Sequence, residues 1–195
     1  MHTETAVTIE ELVSKSHILD FGDWSDDHSE AVLAVFRRAD AERRFLTNED
    51  LQCLARLEPH NAARQQVART LREQIAAILS DSRVGILAQF PTIAEPGGHL
   101  YPPVRAESCG RDLWHYLRCI SYAIAADQPR FTSDAGLRHL ELLYRQLHVP
   151  FEAMVLGLAS LKVASLLRCP VEQYDELAPY FDHLIDRLRH FGQAD

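Results

Sequence analysis

Glycine and proline are scarce in this chain, eight and nine residues of 195, and they gather in a few places. That excludes a collagen-like or low-complexity architecture. Cysteine is scarcer still. Cys53, Cys109, Cys119 and Cys169 are scattered and form no C-x-x-C pair, which excludes a disulfide framework and the usual structural zinc motifs. No uninterrupted apolar run approaches the roughly 20 residues that span a bilayer, so no membrane-spanning helix is expected. No basic run offsets the net charge of −8, which argues against a nucleic-acid surface. The first residues, MHTETAVTIEEL, lack the basic-then-apolar layout of a secretory signal; the expectation is a soluble cytoplasmic protein. No nucleophile–base pair on one element, phosphate loop or metal motif is present, so the chain does not read as an enzyme.

What remains is helix-forming. Hydrophobic residues make up 47% of the chain, enough to build a core at single-domain length. A short helix is expected over Ile9–Lys15 and another from about Glu30 to Arg43, ending in basic residues that suit a helix C-terminus. Thr47, or else Asn48, caps the helix of FLTNEDLQCLARL, with Glu49 and Asp50 in its first turn. Asn61–Ser80 reads as one long helix with Val67, Leu71, Ile75 and Ile78 inward, followed by a shorter piece over Val84–Phe90. Four prolines and two glycines between Phe90 and Ser108 then enforce a loop. The next helix runs to about Ala126. Thr132 or Ser133 caps its successor, and Pro150 and Pro170 open the last two, where a missing N–H is tolerated. In the last, Leu177, Phe181, Leu184 and Leu188 face inward. No convincing strand is found. The expectation is an all-α fold of seven or eight helices.

The stretch AESCGRDLWHYLR, Ala106 to Arg118, carries the chemistry. Cys109, Asp112, Leu113, Tyr116, Leu117 and Ile120 follow one another at helical spacings and share a stripe, while Arg111, His115 and Arg118 lie on a different face. The nearby Arg111 and a position early in the helix would favour a thiolate at Cys109. His115 lies on the far side and is a poor base for it. On the pattern alone, a packed thiol outweighs a reactive one. Asp112 on an apolar face must be paired, since an unpaired buried charge costs several kcal/mol. An arginine from another helix and a set of N–H donors on a ligand explain it equally well.

CGRDLWHYLR resembles the C-x-R-D-x-x-x-Y-L-R signature of the phycobiliproteins, the bilin-carrying subunits of the phycocyanin and allophycocyanin type. ADAERRFLTNEDL, RQQVARTLREQIAAIL, PGGHLYPP, ISYAIAADQP, PFEAMVLGLASLKVASLL and YFDHLIDRL are similar to the family's other segments, collinear over about residues 39–190. The resemblance implies a globin-like phycobiliprotein fold in residues 39–195, behind a partly helical N-terminal extension over 1–38. It also implies an open-chain tetrapyrrole such as phycocyanobilin, joined by a thioether to Cys109. Arg111 would pair with a propionate, Asp112 would accept from the pyrrole N–H groups, and Tyr116 would line the pocket. His99 and Arg105, in the loop and just after it, complete the candidate site. No metal is implied. The implied role is light harvesting, energy transfer or photoprotection, in a homo-oligomer or beside related subunits, in the cytoplasm or at the thylakoid surface.

Four departures from the family pattern stand out. His99 replaces an asparagine after the glycine pair. Trp114 stands beside His115. The N-terminus is longer than the family's short helical pair. Cys169 is about one residue out of register with a second bilin cysteine and precedes Pro170. His99 and the many other histidines, His139 among them, support an alternative: a globin-like haem carrier, or a transient bilin carrier working with bilin-pathway enzymes.

Overall fold

A computed structural model describes residues 7–193; the outermost positions of the two expected regions, 1–6 and 194–195, lie outside the described residues. The expected globin-like, all-α fold is present, with nine α-helices among the described residues: α1 (Ile9–Lys15), α2 (Glu30–Ala41), α3 (Asn48–Leu57), α4 (Ala62–Glu73), α5 (Ile75–Gln89), α6 (Pro103–Ala125), α7 (Asp134–Gln146), α8 (Phe151–Leu166) and α9 (Tyr174–Arg189). The only extended pairing among them is an isolated bridge between Leu19 and Thr132.

Local signals set most boundaries. Thr8 with Glu11 and Thr47 with Asp50 form capping boxes at α1 and α3, and Ser29 and Ser133 cap α2 and α7; each satisfies N–H groups that a helix start leaves unpaired. The long helix expected over Asn61–Ser80 is instead interrupted at Gln74, where the backbone leaves the helical region (φ −100°, ψ 7°). No glycine or proline marks the break. It arises because α4 buries its face against α6 while α5 buries its own against α8. The piece expected at Val84–Phe90 is the second half of α5.

The helix α6 is the axis of the fold, and every residue from Tyr116 to Ala126 is buried. The different face that Arg111, His115 and Arg118 share is not uniformly exposed. Arg111 is exposed, but Arg118 is 1% exposed. Its guanidinium reaches Asp40 of α2 at 2.8 Å, Tyr122 Oη at 2.9 Å and His115 Nδ1 at 3.1 Å. Tyr122 in turn donates to the Arg44 carbonyl. Buried charge thus ties α2 to the central helix.

Residues 7–29 lie against the body of the fold. Leu12 of α1 is fully buried where α1 packs on α7. The next residues run past the start of α7, with Ser133 donating to the Ile18 carbonyl at 2.8 Å and Asp20 to the Phe131 carbonyl at 3.0 Å. The approach is so close that a Cβ at Gly136 would lie 1.7 Å from the His17 carbonyl oxygen. Trp24 is fully buried, edge-on to both Phe21 and Phe36. The boundary drawn at residue 38 falls inside α2.

Candidate functional site

A cavity of about 550 Å³ opens between α5 and α6 under the Pro-Gly-Gly loop, within the size range of small-molecule sites. Leu79, Ile86, Leu87, Leu100 and Leu113 make its walls apolar, and Cys109 and Gly110 line the α6 side. The loop keeps its shape through a tight backbone turn: Leu100 donates to the Ile93 carbonyl at 2.8 Å, and a Cβ at Gly98 would lie 2.4 Å from the carbonyl oxygens of Thr92 and Ile93. Arg105 fastens this loop to the α7–α8 turn, donating to the carbonyls of His99 and His148, each at 2.8 Å, and to that of Leu147 at 3.1 Å.

Cys109 is 7% exposed, and its Sγ lies 3.6 Å from Met154 Sδ of α8. Burial, with the nearby Asp112 charge second, pushes its thiol up to about 11. This agrees with the packed thiol that the pattern alone favours, and the nearby Arg111 does not turn it into a thiolate. Because α6 begins at Pro103, Cys109 sits in the second turn, away from the free N–H groups of the helix start, and a thiol without water around it keeps its proton.

Among the described residues, Asp112 meets no arginine from another helix; its partner is a tyrosine. Tyr144 of α7 donates from Oη to Asp112 Oδ2 at 2.8 Å, and the hydroxyls of Tyr144 and Tyr116 are themselves hydrogen-bonded. Both tyrosines are nearly inaccessible. Burial raises the Asp112 carboxyl to about 6, against the opposing effects of the Tyr144 bond and the Arg111 charge. No described residue donates to Oδ1, so the acid has an acceptor to spare.

Cys109 is therefore the candidate residue that the fold brings to the cavity wall, while Asp112 and Tyr116 meet Tyr144 one turn further along α6. Arg111 is exposed and donates to Ser108 Oγ at 2.6 Å; it does not line the cavity, and neither do His99 and Arg105. His139 Nδ1 donates only locally, to the Ala135 carbonyl at 2.7 Å. Burial and the Arg118 charge lower His115 to about 4. Among the described residues, no group of three or more His, Cys, Asp and Glu side chains is arranged to hold a metal ion. Cys169 is half-buried near the end of α8, with Sγ directed at the Ser165 carbonyl.

Tyr144, Met154, Arg83 and Glu107 were absent from the sequence-derived site. Tyr144 did leave a signal. It lies on the apolar stripe of α7 with Leu137 and Leu140, and a buried tyrosine hydroxyl needs a partner. Met154 and Arg83 are brought in by packing, whereas Glu107 lies two residues before Cys109 on α6.

A globin-like helical domain with a ligand-sized, apolar, thiol-bearing cavity is the class that this fold and site define. The chain belongs to the phycobilisome protein family, whose sequence model matches residues 34–188. It is 30% identical over 158 residues to the allophycocyanin alpha chain 2 of Microchaete diplosiphon, covering 81% of this chain and 98% of that protein. It is 30% identical to the allophycocyanin subunit alpha-B of Synechocystis sp. (79% and 96% covered) and to the C-phycocyanin beta chain of Aglaothamnion neglectum (70% and 80% covered). Residues 1–33 precede the matched region. No helix among the described residues is long and apolar enough to cross a membrane.

Proposed function

We propose that this protein carries a bilin in the α5–α6 cavity and serves in light harvesting, energy transfer or photoprotection beside related subunits or copies of itself. The observation that carries the reading is the placement of Cys109 on the cavity wall with Asp112 one turn on, one oxygen held by Tyr144 and the other open. The dimensions and apolar walls suit an elongated tetrapyrrole. Family membership, and relatives named as allophycocyanin and phycocyanin chains, point the same way.

In this reading Cys109 is the tether. A bound bilin supplies an alkene that accepts the sulfur and the thiol proton, so the thioether forms without an oxidant. Asp112 Oδ1 accepts pyrrole N–H groups, and the Tyr144 bond on Oδ2 keeps the carboxylate turned. Tyr116 holds Tyr144 in place. Arg111 takes a propionate from the exposed edge of α6, and the Arg105 clamp keeps His99 and the loop over the cavity. The chain acts as a pigment carrier and not as an enzyme, placed in the cytoplasm or at the thylakoid surface. The haem alternative finds no support, since no histidine lines the cavity.

Co-expression with a bilin-producing pathway tests the assignment. The wild-type band on a denaturing gel is expected to fluoresce with zinc, and the Cys109→Ala band to lose that signal. A wild-type band as dark as that of Cys109→Ala rules out the covalent tether.

A further inference from the structure

We infer that Arg83 is a carboxylate anchor of the cavity, facing Arg111 from the opposite helix, and that Glu107 sets the direction in which an acidic ligand lies. The inference rests on the bilin reading and extends it.

The helix α5 turns Ala76, Leu79, Ser80, Arg83, Ile86 and Leu87 toward the cavity, a sequence of i, i+3, i+4, i+7, i+10 and i+11 positions that forms one face. Arg83 thus occupies the middle of a stripe whose other members are small or apolar, at the exposed rim of the cavity. Among the described residues it is the only cation lining the cavity, and Glu107 is the only anion. Both are exposed, and neither makes an ion pair or side-chain hydrogen bond with a described residue. The acid nearest in sequence on α5, Asp81, is already engaged by Arg168 of the α8 end at 2.8 Å.

A bilin carries two propionic side chains. Arg111 can take one from α6, and the other arginine near the cavity on that helix, Arg105, is already engaged by the carbonyls of His99, Leu147 and His148. Arg83 faces the second propionate across the opening, and its planar fork suits a carboxylate. Glu107 lies four residues before Arg111, on the same edge of α6. A carboxylate there would meet like charge, so the acidic edge of the ligand is directed away from the Glu107 end. One cation and one anion on opposite walls give an otherwise apolar slot a direction. If instead the Arg83 stem merely covers apolar surface, the ligand's carboxylates would not sense its charge.

Titration of the full chain with biliverdin and with its dimethyl ester, followed by absorbance, separates the cases. Wild type is expected to bind the acid about tenfold more tightly than the ester. Arg83→Gln should cut that preference to about threefold, the remainder resting on Arg111, while binding the ester as wild type does; Arg83→Lys should fall between the two, and Glu107→Gln should enlarge the preference. An unchanged preference in Arg83→Gln, with biliverdin bound, overturns the anchor and leaves the bilin reading standing. Failure of wild type to bind either compound overturns both.

Discussion

Two charges on the same helix, one fully buried and one half-buried, meet different treatment. Arg118, in the second half of α6, is matched by the Asp40 carboxylate, the Tyr122 hydroxyl and the His115 ring, with the Tyr122 ring 5.2 Å from its guanidinium carbon. Asp112, in the first half, has one hydroxyl donor, a carboxyl displaced to about 6, and an oxygen to which no described residue donates. The fully buried charge ties helices together and is met by opposite charge, although its Nε is left without a partner among the described residues. The half-buried charge has one hydroxyl donor and the Arg111 charge of its own helix, and in the proposed function a ligand takes its second oxygen.

The largest expected effect breaks the structural half of this contrast. Arg118→Leu leaves Asp40 facing a buried apolar side chain and should lower stability by about 3–5 kcal/mol, read from the urea midpoint. Pairing it with Asp40→Asn should recover part of the loss. A loss below that of Asp112→Asn would remove the distinction.

The functional half predicts the reverse sign. A carboxyl whose folded value lies above the unfolded 3.8 adds stability fully below about pH 3.8 and loses it as pH rises through about 6. Asp112→Asn does not titrate, so relative to wild type the variant should gain up to about 3 kcal/mol between pH 4 and pH 7. Melting at several pH values checks this, and a difference that is flat with pH would show that Asp112 is not perturbed. Tyr144→Phe is subtler. It should cost about 1 kcal/mol and, by removing the donor to Oδ2, move the midpoint of that pH dependence upward. An unmoved midpoint would mean that Tyr144 does not steady the carboxylate.

Much of the fold was legible in the chain because it rests on short-range rules. The capped starts at Thr47 and Ser133, the proline-rich loop, and the inward stripe of Leu177, Phe181, Leu184 and Leu188 all follow from residues within a few turns of one another. So did the placement of Cys109 and Asp112 on one stripe. The break at Gln74 was not legible, because nothing local requires it; two helices simply have different partners to cover. The burial of Arg118 was not legible for a related reason: its spacing gives it a face of α6, and only packing brings Asp40 of α2 to it.

Residue spacing and residue type were enough to say that this is a helical domain with an acid and a thiol facing inward, because helix periodicity is a property of the backbone. Which side chains complete that site depended on how the helices pack. Tyr144, Met154 and Arg83 come from α7, α8 and α5, and no spacing along the chain relates them to Cys109 or Asp112. The proton state of the thiol was decided in the same way: burial against Met154, not the neighbouring Arg111, keeps Cys109 protonated.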